Sequence, residues 1–294
     1  LGKKMVTINK NFKRASIYSS SGQKRADKIA YQIIEILENL GVEVYVTESL
    51  SDIKVKKKYF KKDNYIIKNT DILISIGGDG SLLSSARRYG NHGIPVLGIN
   101  LGNLGFLTDI KPEELTNSLI DVFNGKYENE ERFFIESIIH GSRNKNIALN
   151  ELVIHSGTVA QMIEYELFID GKFVYSQKSD GLIVNSPTGS TAYSLSGGGP
   201  IIHPSMDCIT LLPILPHSLS SSPLVVFGDS IIEIVIGKNK NKAILSMDSH
   251  DKLQLKAGDK VKIARSLQGV ELIHPNDHDF YSACRRKLGW SSSL

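Results

Sequence analysis

The sequence predicts an α/β N-terminal domain with a parallel sheet, followed by a C-terminal domain that is mostly β-sheet. In the first ~125 residues, helical patterns alternate with short apolar runs, which is typical of strands joined by helical crossovers. From about Arg132 onward, short strand patterns follow one another and helical patterns largely disappear. The pair Asp170-Gly171 lies between two of these strand patterns and predicts a tight hairpin.

The elements of the first domain follow from the spacing of apolar residues. A first helix is predicted by apolar residues at helical spacing, with a glycine as its stop: Ala26, Ile29, Ala30, Ile33, Leu37, Leu40 and then Gly41. Strands are predicted at the alternating valines of 42–46 and in the apolar runs 71–76 and 94–99. A further helix is predicted to open at Pro112 and the two glutamates after it, and to close at Gly125.

The second domain is predicted from short strands alone. Two of them, over 165–169 and 172–175, flank the hairpin signal. Further strands are predicted over 231–236, 243–247, 252–255 and 261–264. These patterns divide the chain into an α/β domain over 1–128, a mostly β domain over 129–273, and a C-terminal segment over 274–294 that could return to the first domain.

Composition excludes several classes of protein. The 294-residue chain has a net charge of +4, from 35 basic and 31 acidic residues, which is too small an excess for a nucleic-acid binder. No apolar run approaches the ~18 residues that a membrane span needs, so no membrane partner is expected. The stretch 1–14 lacks the apolar core of a signal peptide, so we expect a cytosolic protein. Cys208 and Cys284 stand alone, which argues against a disulfide framework or a zinc site.

The most informative segment is the loop Gly77-Gly78-Asp79-Gly80, which follows an apolar strand and precedes a helical pattern. In an open parallel sheet, ligands collect beyond the carboxyl ends of the strands. Glycines let the backbone approach phosphates closely, and a following helix presents free N–H groups to an anion. A carboxylate would repel phosphate, so the presence of Asp79 needs an explanation. It could accept a proton from a hydroxyl or help to hold Mg²⁺, or it could only cap the following helix. The residues alone leave these alternatives open.

Three further segments carry polar groups in unusual places. A second glycine loop, 98–105, also follows an apolar strand, and it fits a structural crossover turn as well as it fits direct phosphate contact. Asn150 and Glu151 interrupt an apolar stretch, where polar side chains cost free energy unless they are satisfied. The segment 179–200 is dense in glycines and small hydroxyl residues, and Tyr193 offers a face for a flat ring. This chemistry suits a nucleotide.

The order of these segments resembles the ATP-NAD kinase family of bacterial type. Gly-Gly-Asp-Gly alone is also found in phosphofructokinases and diacylglycerol-type lipid kinases, so it is a weak signal. The specific signal is the succession of Gly-Gly-Asp-Gly, Gly-Asn-Leu-Gly-Phe-Leu-Thr-Asp, Asn-Glu, and Thr-Gly-Ser-Thr-Ala-Tyr-Ser-Leu-Ser. The resemblance runs from about Asp71 to Trp290, roughly three quarters of the chain.

The resemblance implies a role for individual residues. Asp79 corresponds to the general base that faces the 2′-hydroxyl of the adenosine ribose, and Gly77, Gly78 and Gly80 form the phosphate loop around it. Residues implied to contact NAD are Asp79, Gly80, Asn150, Glu151, Asp180, Thr191, Ala192, Tyr193, Ser194, Leu195 and Ser196. Weaker candidates for NAD contact are Gln161, Lys178 and His250.

The resemblance also implies the reaction and the partners. The expected activity is transfer of the ATP γ-phosphate to NAD, giving NADP, with Mg²⁺ accompanying ATP. The family's sites form between subunits, so a homodimer or homotetramer is expected. The rivals are a lipid or sugar kinase that shares the glycine turn, and a non-catalytic NADP sensor. No metal ligand is assigned in the protein, because Pro275 disfavours a helical metal pair at His274 and His278.

Overall fold

The computed structural model describes residues 12–20, 24–50, 53, 55–102, 105–157, 161–218, 220–238, 243–276 and 278–290. The strands are β1 (Arg14–Tyr18), β2 (Glu43–Thr47), β3 (Phe60–Lys61), β4 (Ile72–Gly77), β5 (Val96–Asn100), β6 (Glu128–Ile139), β7 (Lys145–Ala148), β8 (Glu151–His155), β9 (Ile163–Ile169), β10 (Lys172–Ser179), β11 (Gly181–Asn185), β12 (Cys208–Ile214), β13 (Leu224–Phe227), β14 (Ile232–Ile236), β15 (Ala243–Met247), β16 (Asp251–Leu255) and β17 (Lys260–His274). The helices are α1 (Lys24–Asn39), α2 (Asp63–Asn69), α3 (Asp79–Arg88), α4 (Leu115–Phe123), α5 (Tyr193–Ser196) and α6 (Phe280–Leu288). No helix in these described ranges combines the length and the apolar character that a membrane span requires.

The chain divides into two compact units. The first comprises residues 1–131 together with 269–294, and the second comprises residues 132–268. The C-terminal segment therefore belongs to the same unit as the N-terminal half of the chain. The strands β6 and β17 each contribute residues to both units.

The first unit is built on a parallel sheet. Its strand order is β5-β4-β1-β2-β3, and every one of these pairings is parallel. β5 also pairs in parallel with the end of β17, through Leu272 and Ile273. Helix α1 buries most of the apolar stripe that predicted it, and Ala26, Ile29, Ala30, Ile33 and Leu37 join the core that includes the apolar face of the sheet. Leu40 differs, because it follows the end of the helix and is exposed. The predicted α/β fold is confirmed.

Two details of the first unit differ from the predicted boundaries. The helix expected to open at Pro112 begins at Leu115 instead, with Glu114 as its N-terminal flanking residue, and the three residues before it form a turn. The strand β4 runs one residue further than its apolar stretch and ends at Gly77, so that helix α3 begins at Asp79 after a single residue. This abrupt change from strand to helix fixes Asp79 at the carboxyl end of β4.

The second unit contains two antiparallel layers that share one core. The first layer has the order β10-β9-β14-β17, and the second is a six-stranded sheet with the order β13-β12-β11-β8-β15-β16. Alternating side chains of both layers, such as Leu167 and Ile234 from one and Ile154 and Leu245 from the other, fill a single cluster. The mostly β fold predicted for this region is confirmed.

The hairpin predicted at Asp170-Gly171 is present. Strands β9 and β10 pair in antiparallel fashion, and Lys172 lies opposite Ile169. Asp170 and Gly171 both have positive φ, at 50° and 75°, which is the conformation that a two-residue type I′ turn demands. No strand was predicted within the segment 179–200, yet it contains the last residue of β10 and the whole of the buried strand β11. The irregular part of the segment starts at Ser186.

Candidate active site

In the first unit, the carboxylate of Asp79 is held by residues 106–108, which directly follow the second glycine loop. One oxygen accepts a hydrogen bond from the Phe106 amide at 2.8 Å. The other accepts from the Leu107 amide and the Thr108 hydroxyl, both at 3.1 Å. The N-cap residue of helix α3 is Gly78, so the Asp79 carboxylate does not cap its own helix. Asp79 is thereby fixed in orientation while remaining partly exposed at the end of β4.

The surrounding glycines serve different purposes. Gly105 lies against Asp79, because a Cβ at position 105 would come within 1.8 Å of an Asp79 carboxylate oxygen. Gly77 has φ 149°, and a Cβ there would come within 2.6 Å of the Ser81 side chain. A Cβ on Gly78 or Gly80 would meet nothing within 4 Å, so the backbone at these positions is open to a ligand. The end of the loop 98–105 therefore has at least a structural role, because Gly105 leaves room for the Asp79 carboxylate that residues 106–108 hold.

In the second unit, Asn150 and Glu151 lie at the start of β8 and are clamped by Asp248. The Asp248 carboxylate accepts hydrogen bonds from the amides of Leu149, Asn150 and Glu151, at 3.0, 2.8 and 3.1 Å. Asp248 itself is only 3% exposed and adopts a positive φ of 43° in the turn after β15. Three amide donors stabilise a buried carboxylate of this kind.

The side chains of Asn150 and Glu151 are buried, and each keeps one unsatisfied oxygen. Asn150 Oδ1 and Glu151 Oε2 have no hydrogen-bond partner among the described residues. Buried polar atoms without partners are rare in folded proteins and call for an explanation such as a missing ligand. Burial, and to a lesser degree the carboxylate of Asp248, raises the pKa of Glu151 to about 8. Glu151 is therefore mostly protonated at neutral pH and can donate a hydrogen bond as well as accept one.

The turn that follows β11 packs on the backbone of Asn150. The Ser186 amide donates to the Asn150 carbonyl at 3.0 Å, and a Cβ on Gly189 would come within 2.3 Å of that carbonyl oxygen. Residues Thr188–Thr191 form a 3₁₀ turn, and Thr188 accepts a hydrogen bond from Arg132 at 3.1 Å. Helix α5 follows at once and carries the partly exposed Tyr193.

The implied NAD-contact residues at 191–196 therefore follow directly on a turn that contacts Asn150. Within that stretch, Ser194 Oγ is buried without a partner in the described part of the chain. Asn185 Oδ1, on the residue that pairs with Glu151, is also buried without a partner among the described residues.

Asp180 lies elsewhere in the second unit. It precedes β11, whose opposite end, Asn185, pairs with Glu151. At about 3.3 Å per residue, five steps along the strand separate Asp180 from that pair by roughly 16 Å. Lys178 lies beside Asp180 at the end of β10 and is 3.7 Å from Glu164. These two residues form no cluster with Asn150 within one chain.

The two remaining weaker candidates differ from each other. Gln161 has a buried Oε1 without a partner in the described ranges. The imidazole of His250 is within hydrogen-bond distance of the Asp248 carbonyl, at 2.7 Å from Nδ1, and is thereby linked to the clamp around Asn150.

Sequence reasoning missed Asp248 and Thr108 as supporting residues. Asp248 lies about a hundred positions from the residues that it holds, and no local pattern marks it except that it begins a turn two residues before His250. Thr108 belongs to the motif Gly-Phe-Leu-Thr-Asp, which was recognised as a motif but without a function for the threonine. Both are buried polar residues whose partners are distant in sequence.

Comparison with known proteins shows to which family the chain belongs. The model of the ATP-NAD kinase N-terminal domain matches residues 6–127, and the model of the ATP-NAD kinase C-terminal domain matches residues 149–275. The chain belongs to the ATP-NAD kinase family. The resemblance seen in the sequence motifs is thus confirmed over both units.

Individual relatives agree with this assignment. The NAD kinase of Teredinibacter turnerae is 50% identical over 226 residues, covering 76% of this chain and 77% of that protein. The NAD kinase of Saccharophagus degradans is 43% identical over 279 residues, covering 92% and 95%. Among solved structures, a yeast NADH kinase complexed with NADH superposes with a TM-score of 0.87 at 27% identity, covering 97% of this chain and 90% of that one. An Archaeoglobus fulgidus NAD kinase in complex with ATP gives 0.73 at 28% identity, covering 93% and 99%.

Proposed function

We propose that this enzyme transfers the γ-phosphate of ATP to the 2′-hydroxyl of the adenosine ribose of NAD, giving NADP. The observation that carries the proposal is the Asp79 carboxylate, which the loop 105–108 holds in place next to open glycine backbone. Phosphoryl transfer requires little covalent chemistry from the protein, so most of the rate enhancement comes from positioning the substrates and stabilising charge. Asp79 orients the ribose hydroxyl and accepts its proton, while the amides around Gly78 and Gly80 bind phosphate oxygens.

In the second unit, the proposed NAD contacts come from Asn150, Glu151 and the stretch Thr191–Ser196. The unsatisfied oxygens of Asn150, Glu151 and Ser194 support this role, because a dinucleotide offers hydroxyl and amide groups that would satisfy them. A protonated Glu151 can donate to a ribose oxygen without bringing a second negative charge near the diphosphate. Asp180 is a further proposed NAD contact, and the weaker candidates Lys178, Gln161 and His250 stay predictions.

A requirement for Mg²⁺ in the reaction is also proposed, on the basis of the chemistry of the substrates. Mg²⁺ prefers oxygen ligands and is usually held through nucleotide phosphates and one or two carboxylates. Asp79 offers carboxylate oxygen of that type, so the site fits the ion, and bound Mg²⁺ would neutralise charge on the phosphates. The residues of the protein still have to orient the hydroxyl and receive its proton.

Self-association is proposed as well. Strand β13 is an edge strand of the six-stranded sheet, and it exposes Phe227 by 80% and Val225 by 46%. The separation of Asp180 from Asn150 within one chain fits a site completed by a second copy. Light scattering should give a dimer or tetramer, with activity lost on dilution to monomer. A fully active monomer would contradict this proposal.

One coupled assay tests the activity. The purified chain with NAD, ATP and Mg²⁺ should form NADP, and removal of Mg²⁺ should abolish turnover. Diacylglycerol and fructose 6-phosphate should not be phosphorylated, because the resemblance to the NAD kinases extends over both units and does not rest on the glycine turn alone. Appreciable turnover of either compound without NADP formation would instead support the lipid or sugar kinase, which the family matches do not favour.

A further inference from the structure

Two histidines and an aspartate of the first unit converge at the start of the C-terminal segment. His274 is the last residue of β17, and His278 lies just before α6. The His278 amide donates to the Pro275 carbonyl at 3.0 Å, so a tight turn, not a helix, connects the two histidines. Their rings stack, with centroids 3.9 Å apart and an interplanar angle of 21°. Pro275, which disfavours a helical pair, is thus part of the turn that brings the rings together.

Both rings present Nδ1 to the same carboxylate oxygen. His278 Nδ1 lies 3.0 Å from Asp109 Oδ2, and His274 Nδ1 makes a closer contact with the same atom. One ligand-type atom from each of the three residues lies within 4.8 Å of the others. Two ligands of a tetrahedral zinc ion, each about 2.0–2.1 Å from the metal, lie about 3.4 Å apart. The cluster therefore needs only small side-chain movements to surround an ion.

The far side of His274 faces a carboxylate, although the two groups do not form a hydrogen bond in this structure. Its Nε2 is buried and lies 3.5 Å from Glu130 Oε2. Histidines that bind a metal through one ring nitrogen commonly donate the other N–H to a carboxylate, which orients the ring. In this cluster, the His274 ring lies between Glu130 on its Nε2 side and Asp109 on its Nδ1 side, so Glu130 is placed to orient the ring.

The cluster also has an open side. A cavity of about 550 Å³ is lined by Asp109 and His278, together with Glu113, Asp121 and Pro275. A fourth ligand position facing this cavity is accessible to water. The donor set of two imidazoles and one carboxylate suits Zn²⁺, whereas Mg²⁺ prefers oxygen ligands alone. The site is therefore chemically distinct from the nucleotide-associated metal.

We propose that Asp109, His274 and His278 bind a Zn²⁺ ion, with water as the fourth ligand and Glu130 orienting His274. The ion would join the C-terminal segment to the loop 105–108, because Asp109 follows Thr108, whose hydroxyl donates to Asp79. Its role is to tether the C-terminal segment, and it takes no part in phosphoryl transfer.

The test uses the metal-stripped full-length protein without nucleotide. Titration with ZnCl₂ by calorimetry should show one ion per chain and raise the Tm, and Co²⁺ in place of zinc should give the intense visible absorption of a tetrahedral site. His278→Ala and Asp109→Asn should each weaken zinc binding by well over tenfold and abolish the rise in Tm. Glu130→Gln should weaken it by about 10–100-fold. His92→Ala, which removes an exposed histidine of the same unit, is the matched control and should bind as the wild type does.

Some results would overturn the proposal. Absence of zinc binding at micromolar concentration in the wild type is one, and it would leave the cluster as a hydrogen-bonded group without a metal. Zinc binding that survives both His278→Ala and Asp109→Asn is another, because the ion would then be bound elsewhere. If a variant fails to fold, the wild-type protein still tests the proposal. Excess Mg²⁺ should not displace Co²⁺ and abolish its visible spectrum, and displacement by Mg²⁺ as readily as by Zn²⁺ would contradict a site with two imidazole ligands.

Discussion

The two units each hold an aspartate that accepts three hydrogen bonds from a neighbouring loop, yet the two aspartates differ in exposure. Asp79 accepts from Phe106, Leu107 and Thr108 and remains partly exposed beside open glycine backbone. Asp248 accepts from three successive amides and is 3% exposed. The same pattern of three hydrogen bonds therefore fixes a partly exposed carboxylate, the proposed proton acceptor, in one unit. In the other unit it fixes the backbone of Asn150 and Glu151, the proposed NAD contacts.

The largest effect should come from Asp79→Asn. Asparagine keeps the shape and one acceptor oxygen but removes the proton acceptor, so kcat should fall by about 10²–10⁴ while NAD still binds. Steady-state kinetics and calorimetric NAD binding measure the two quantities separately, and the melting temperature should stay near that of wild type. A variant with kcat within tenfold of wild type would return Asp79 to a purely structural role like that of Asp248.

Glu151→Gln should change how stability depends on pH. The folded state raises the pKa of Glu151 to about 8, above its value in the unfolded chain. The associated stability is fully present below the unfolded pKa of about 4.3 and is lost as the pH rises through about 8, on the order of a few kcal/mol in all. Glutamine cannot ionise, so urea unfolding of the variant should lack this decline, whereas the exposed control Glu166→Gln should keep it. Identical slopes in both variants would contradict the buried, protonated state of Glu151.

Asp248→Asn tests the clamp in the second unit. Its Oδ1 can still accept from Asn150 and Glu151, but the amide nitrogen would face the Leu149 N–H, which loses its acceptor. The cost should be about 1–3 kcal/mol. We expect a KM for NAD raised by about tenfold with kcat changed far less, because binding groups move while Asp79 does not. Asp259→Asn is the control, since Asp259 also accepts from a backbone amide but in an exposed turn. A fall in kcat alone would mean that Asp248 acts on chemistry.

The smallest effect should come from Gly105→Ala. The added Cβ would overlap Asp79 and Thr108 side-chain atoms, which can shift by rotation, so a loss of several-fold in kcat is expected with little change in stability. Gly102→Ala is the matched control in the same loop, because nothing lies within 4 Å of its Cβ position. Equal activity of the two variants would show that the contact between position 105 and Asp79 is not needed.

The contrast between the two aspartates also explains what could be predicted from sequence. Asp79 was found because three glycines beside it and the strand before it are consecutive in the chain. The hairpin at Asp170-Gly171 was found for the same reason, since its turn type depends on two adjacent residues. The boundary of α4 was misplaced by a few residues, because the turn over Pro112 to Glu114 has the composition of a helix start.

What could not be predicted depends on contacts between distant parts of the chain. Asp248 holds residues about a hundred positions earlier, and Asp109 meets a histidine 165 positions later. The buried strand β11 was not predicted, because glycine and small residues precede and follow its short apolar run. Its position between β8 and β12 in the sheet depends on tertiary contacts, which the local composition does not reveal.

The return of β17 to pair with β5 has a consequence for biosynthesis. Val96 and Leu97 pair with Leu272 and Ile273, so this side of β5 lacks its β17 partner until residues 272 and 273 have left the ribosome. Residues 1–131 therefore cannot complete their sheet until then, whereas residues 132–268 form a unit from one continuous stretch that is synthesised earlier. A nascent chain arrested before residue 269 would expose β5 as an edge strand, a template for pairing with other chains. The order of synthesis thus makes the second unit the first that can finish folding.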